Sequence, residues 1–291
     1  MKKSIIAIIG IALLLVITGT SAKSNTTPTI AVIDTGIDMT NKTISNRVVG
    51  EVCILVQTTC PNGTNFMEGP GAATLDPKRA TANGFYHGTA MSGLVVENSS
   101  ANIVAIRIIG MEPNGARSVS NVSVMERALQ WVVDNKQKYN IVGVSMSQVI
   151  RTTSTCMSNK SIESNVAILK SVNVPVAAAS GNDSDAIRTS FPACVKDVVS
   201  VGATDPIGPK GQFPALYSNY SDDFYMNGTL QTFSTATTKS RTVGTSNATA
   251  MFISRWVASS RGLTYQQTFD NLKSIARIVS TNKVKNVLVV Q

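Results

Sequence analysis

The sequence predicts an α/β protein of three layers, α/β/α, around a mostly parallel central sheet. Two observations carry that expectation. Short runs that are apolar throughout alternate with helix-length segments, and strands lacking a polar face need cover on both sides. Several of those runs also end in small polar residues, as in an open parallel sheet whose site lies beyond the carboxyl ends of its strands.

Taken in order, residues 29–34 (TIAVID), 103–109 (IVAIRII), 140–145, 174–179 (VPVAAA) and 198–203 (VVSVGA) read as buried strands, rich in β-branched residues or bounded by turn residues. Residues 120–137 set Met125, Leu129, Val132 and Val133 on one helical face, and 161–171 repeats the pattern. Residues 57–86, full of Gly, Pro, Asn and Thr, read as a long surface excursion. No repeat, low-complexity tract or linker divides residues 23–291, which read as one domain.

The first 22 residues read as a signal peptide. Lys2 and Lys3 precede an apolar run, residues 5–17, and Thr20-Ser21-Ala22 offers cleavage after Ala22. The run falls short of the roughly 20 residues that span a bilayer. Export to an extracellular or periplasmic space is the expectation, with a retained N-terminal membrane anchor as its alternative. Export makes the four cysteines readable as disulfides. Three pairings can be drawn; Cys53–Cys60 is favoured by nearness and Cys156–Cys194 because it flanks one helix–strand unit. A metal site fits poorly, with no CxxC pair and one histidine in the chain. A formal net charge of +9 comes without a basic stripe interleaved with aromatics, which argues against nucleic-acid binding.

Three polar groups stand at predicted element ends. Asp34 closes the first strand, the sole histidine His87 opens HGTAMSG at a helix start, and Ser246 lies in GTSNATA, a small-residue turn entering another helix. Singly, each has an ordinary reading as a cap, a structural imidazole or a turn. Together they supply a nucleophile, its base and the carboxylate that orients the base, and a serine at a helix N-terminus lies where developing negative charge is favoured.

IAVIDTGID at Asp34, HGTAMSG at His87, AAASGND at Asn182 and GTSNATA at Ser246 resemble the four signature segments of the subtilisin-like serine proteases, in the same chain order. VGVSMS, FPACVKDVVSVGATD and LYSNYSD resemble intervening family segments, so the likeness runs from residue 29 to about 260. It implies a subtilisin-like fold and a secreted serine endopeptidase, with Ser246 as nucleophile, His87 as base and then acid, Asp34 orienting His87, and Asn182 donating to the oxyanion. It further implies that Ser145, Met146 and Ser147 border a cleft taking polypeptide in extended form. No cofactor is implied. Structural calcium is not identifiable, and the short stretch 97–103 lacks the longer loop that binds it in many relatives. A monomer is expected.

The chain also departs from the family pattern. Ala250 stands where Pro is usual, Tyr86 where Gly precedes the histidine, and Ser147 and Gln148 where glycines border the cleft. Only residues 23–29 separate the predicted signal from the first strand, which leaves no recognisable pro-domain and implies an inhibitor or chaperone acting in trans. Those departures keep open a weak or inactive binding protein, and a hydrolase dedicated to esters or one processed peptide. Ten Asn-x-Ser/Thr sequons, two of them at Asn182 and Asn247, read as a result of composition.

Overall fold

The computed structural model describes residues 27–76, 84–118, 121–206, 212–281 and 287–290. The predicted signal peptide and residues 77–83 of the excursion lie outside them. Among the described residues, one large sheet of eleven strands organises the fold. Its parallel centre is β1 (Thr29–Asp34), β2 (Val48–Ile54), β4 (Asn102–Arg107), β5 (Ile141–Met146), β6 (Val176–Ala179), β7 (Val199–Pro206) and β9 (Phe224–Asn227). Short strands β3 (Phe66–Glu68), β8 (Gln212–Pro214) and β12 (Arg277–Val279) join in antiparallel fashion, and β13 (Val287–Val289) runs parallel to β9. The order is β12-β13-β9-β7-β6-β5-β1-β4-β2-β3, with β8 on β7. A separate hairpin pairs β10 (Thr229–Phe233) with β11 (Lys239–Val243).

Helices cover the sheet in two pairs. The helices α2 (His87–Asn98) and α5 (Thr245–Ser259) pack together, α2 over β1 and α5 over β5, β6 and β7. The other pair, α3 (Val122–Asn135) and α4 (Lys160–Ser171), also pack on each other. The remaining helices among the described residues are α1 (Lys42–Ser45), against α2, and α6 (Tyr265–Ile275), against α5. Every residue of β1 is buried, which is why its sequence shows no alternation. Asparagines start three helices: Asn41, Asn121 and Asn159 each accept a first-turn backbone N–H with the side chain.

Strand β6 begins two residues later than the sequence predicts. Val174 still belongs to the exit of α4, donating its N–H to Leu169, and Pro175 has no N–H to give a ladder. Cys53 is bonded to Cys60 and Cys156 to Cys194. The second bridge closes 38 residues, worth about 4 kcal/mol on the chain-entropy account.

From β1 the chain builds outward through β2 and β4, then crosses back to β5 and continues to β6 and β7. The strand order therefore reverses between β1 and β5. In open parallel sheets such a switch point leaves a crevice beyond the strand ends, because the flanking connections depart in opposite directions.

Candidate active site

Asp34 is the last residue of β1, at the mouth of that crevice, and only 2 % exposed. A buried carboxylate needs donors, and this one has several. Thr35 donates its backbone N–H to Oδ1 at 2.7 Å, and His87 Nδ1 stands 2.8 and 2.9 Å from Oδ1 and Oδ2. Burial alone would raise the Asp34 pKa. The His87 charge and hydrogen bond, the Thr35 N–H and the Arg117 charge outweigh it and hold the carboxyl below its usual range. An ionised carboxylate can only accept, so Nδ1 carries the hydrogen and Nε2 is left as an acceptor.

His87 is the first residue of α2, and its side chain is 26 % exposed, open to the cleft where Asp34 is sealed from it. Two features fix the helix start. Thr35 Oγ1 donates to Phe85 O at 2.7 Å and accepts from Gly88 N at 2.9 Å, tying the end of β1 to the first turn. Gly88 lies so close that a Cβ there would sit 2.3 Å from the Gly36 carbonyl oxygen, a backbone atom with no room to yield. The second glycine of HGTAMSG works through another neighbour: a Cβ on Gly93 would meet the Phe233 ring at 2.5 Å. Both glycines in the segment are thus contact requirements of α2 packing.

Ser246 is the second residue of α5, where first-turn N–H groups have no partner within the helix. Asn182, on the loop after β6, reaches that same turn. Its Oδ1 accepts from Thr245 N at 2.9 Å and from Thr245 Oγ1 at 3.0 Å, so its Nδ2 remains the available donor. Buried Asn219 shapes the Asn182 loop: its Oδ1 accepts from the N–H groups of Asp183 and Asp185, and its Nδ2 donates to Asp183 Oδ2 and Ser190 Oγ. Asn247 is buried too and donates to Gly228 O and Thr242 Oγ1, both at 2.9 Å, fastening α5 to the β10–β11 hairpin.

His87, Asn182 and Ser246 line one cleft of about 410 Å³. Arg117 and the β10–β11 hairpin form part of its wall, the hairpin through Thr232, Phe233, Thr242 and Val243. Sequence reasoning missed both. The hairpin strands TLQTF and KSRTV alternate too weakly to stand out, and Arg117 follows a turn, residues 112–116, with no chemical signature of its own.

The segment 145–147 carries the end of β5 and the first residue beyond it. Ser145 and Met146 lie inside the sheet, in register with Val32 and Ile33 of β1 on one side and Ala177 and Ala178 of β6 on the other. With strands on both flanks, their backbone offers no free edge, and Met146 packs into the core. Ser147 is the first residue beyond the ladder and is itself buried. Gln148, beyond the segment expected to border the cleft, donates its Nε2 to Asp34 Oδ1 at 3.1 Å. Ala250 is fully buried within α5, and its carbonyl accepts from Ser254 Oγ at 2.8 Å. Tyr86 donates its hydroxyl to Asp38 Oδ2 at 3.1 Å. Among the described residues no cluster of His, Cys, Asp and Glu could hold a metal ion, and no helix is long and apolar enough to cross a membrane.

An open parallel α/β sheet with a carboxylate–imidazole pair at its switch point, and a serine opening the neighbouring helix, defines a recognisable class of fold and site. The chain belongs to the Subtilase family, whose profile matches residues 25–289. Subtilisin-like protease 3 of Pseudogymnoascus destructans is 29% identical over 198 residues, which are 66% of this chain and 41% of that protein, so the chain spans about two fifths of that relative's length. Among solved structures, a protease of Pseudoalteromonas arctica PAMC 21717 superposes with a TM-score of 0.68 at 19% identity, covering 90% of this chain and 87% of that one. The prenylagaramide maturation protease PagA follows with a TM-score of 0.62 at 16% identity, covering 90% of each chain. Both share the fold.

Proposed function

We propose that the protein is a serine endopeptidase, exported after cleavage near Ala22, that hydrolyses polypeptides through Ser246, His87 and Asp34. The observation that carries this reading is the Asp34–His87 contact at 2.8 Å, made by an imidazole that lines the same cleft as Ser246 and Asn182. Family membership supports the reaction class, and the two disulfides support an oxidising compartment.

Ser246 Oγ attacks the carbonyl carbon of the scissile bond while His87 Nε2 takes its proton. Asp34 holds the imidazole in the tautomer that leaves Nε2 free and stabilises the imidazolium that forms. The oxyanion accepts from Asn182 Nδ2 and from the Ser246 N–H at the start of α5. His87 then returns the proton to the leaving amine, the C–N bond breaks, and an ester on Ser246 remains. Water, deprotonated by His87, reverses the sequence and releases the acid. A neutral His87 is required, so kcat/KM is lost where the imidazole is protonated. No other histidine exists in the chain to confuse its assignment.

The test is covalent labelling with a fluorophosphonate probe. The expected result is one label per chain on Ser246, abolished by Ser246→Ala and competed by peptide substrates. Asp34→Asn is expected to lower kcat by roughly 10⁴ with the fold intact, since the amide would favour the wrong imidazole tautomer. Folded protein that binds peptides yet takes no label would overturn the peptidase reading in favour of a binding protein.

A further inference from the structure

We propose that Gln148, clamped by Arg117, is a positioning residue for the Asp34–His87 pair. The inference deepens the peptidase reading and rests on it. Gln148 follows the end of β5 by two residues, across the switch point from Asp34, and is only 7 % exposed. Its two amide ends have different partners. Oε1 accepts from Arg117 Nη2 at 2.6 Å, while Nε2 donates to Asp34 Oδ1 at 3.1 Å and passes 3.4 Å from His87 Nδ1.

The guanidinium decides the orientation of the amide. Arginine has donors and no acceptor, so it takes the oxygen end and leaves the N–H₂ end facing the carboxylate. A reversed amide would set donor against donor at Arg117 and oxygen against oxygen at Asp34. Both walls carrying this bridge are themselves braced. Gly110 and Ser118 close the turn bearing Arg117, with Ser118 N on Gly110 O at 2.9 Å and Gly110 N on Ser118 Oγ at 2.8 Å. Beyond Gln148, Ile150 and Phe191 exchange backbone hydrogen bonds at 2.8 and 3.0 Å, and Cys156–Cys194 ties the same two loops together.

The bridge gives the catalytic carboxylate a third fixed donor beside Thr35 N and His87 Nδ1. It also brings a cation, through one neutral amide, to a carboxylate whose one ion pair among the described residues is with the imidazole. Each effect withdraws negative charge from Asp34 and so weakens its hold on a protonated His87. Other charged and titratable groups near the imidazole are already engaged or lie outward: Tyr86 bonds Asp38, Lys239 of β11 pairs with Glu97, and Arg241 of β11 is exposed.

The single histidine gives a readout independent of turnover. In tag-free Ser246→Ala protein, the ring signal of His87 is titrated by NMR with Gln148 present, with Gln148→Met, and with Arg117→Met. The expected result is a midpoint raised by roughly half a pH unit in either variant, because Asp34 then holds the imidazolium more strongly. On the Ser246 background, the acid limb of kcat/KM moves the same way, kcat falls about tenfold, and KM changes by less than about twofold. Gln148→Glu, placing a second carboxylate beside Asp34, moves the midpoint further up. A purely structural Gln148 would leave the titration where it was. Arg117→Met, which leaves the β5 loop untouched, supplies the reading should Gln148→Met not fold. Folded variants with unshifted midpoints and parental kcat overturn the inference, even if the parent takes the fluorophosphonate label. A shifted midpoint in protein that takes no label supports the coupling and overturns only the peptidase reading.

Discussion

Asp34 and Asp223 show how burial acts on a carboxyl when its partners do and do not outweigh it. Burial raises both, but Asp34 meets His87, Thr35 and Arg117 and ends below its usual range, whereas Asp223 ends above it. At Asp223 the donors Ser200 N and Oγ and the charge of Lys273 oppose burial, and the neighbouring Asp222 adds to it. The two carboxyls therefore act on stability with opposite sign. Asp34 stabilises the fold above the carboxylate range, and that contribution is lost as pH falls through its lowered value. Ionising Asp223 instead costs stability, and the cost grows as pH rises through the carboxylate range. Asp223→Asn keeps an acceptor for Ser200 and is expected to raise Tm at about pH 7 but not at about pH 3, where the acid is already protonated. Calorimetry at the two pH values checks this, and an equal gain at both would show that charge is not the cause. At this scale the sequence was legible where the chemistry is local. Asp34, His87 and Ser246 each sit where a strand ends or a helix begins, and such positions leave marks in a few neighbouring residues. Gln148 was not legible: its partner lies 114 positions away, and nothing near it in the chain predicts where the loop after β5 will aim an amide.

The element that most shapes the cleft is α2, which meets β1 through Gly88 and the β10–β11 hairpin through Gly93. Gly93→Ala tests the second contact. Alanine favours a helix interior by about 1 kcal/mol over glycine. Here its methyl would meet the Phe233 ring at 2.5 Å, and overpacking of that kind costs about 1–3 kcal/mol. A net loss of stability is expected, together with a rise in KM, because Phe233 lines the cleft. Gly93→Ala with Phe233→Leu should recover most of both losses; additive effects in this double-mutant cycle would refute the contact. The hairpin itself escaped prediction for a physical reason. Its strands form no part of the main sheet and are half exposed, so selection for burial writes little pattern into them. Of the parallel strands, β1, β4, β5, β6 and β7 were legible as apolar runs, with ends displaced by up to three residues, whereas β2, interrupted by Gly50 and Glu51, and the four-residue β9 were not.

At the scale of the whole molecule, the large sheet sets the site by its topology, and the disulfide Cys156–Cys194 binds the loops leaving β5 and β6 into one wall. That wall presents Gln148 to Asp34 on one side and leads through Ser190 and Asn219 to the Asn182 loop on the other. Its interior asparagines carry a consequence for the order of events during biosynthesis. Asn41, Asn219 and Asn247 all begin sequons, yet each is at most 2 % exposed; Asn41 caps α1 through Oδ1, and Asn219 and Asn247 donate their amide N–H groups within the fold. A branched sugar cannot be accommodated at any of them in the finished protein, whereas Asn62 and Asn98 are exposed. In a cell whose secretory pathway glycosylates nascent chains, oligosaccharide transfer and folding therefore compete for the same three side chains. Folded enzyme from such a cell should carry glycans at Asn62 or Asn98 and none at those three, and the modified remainder should collect in the misfolded fraction. Glycopeptide mapping of both fractions distinguishes this from indifference, since sugar on Asn247 in soluble, fluorophosphonate-reactive protein is incompatible with the way α5 is fastened. The capacity of such a host to produce the protein would then be set by a kinetic race at the translocon, decided before Asp34, His87 and Ser246 are brought together.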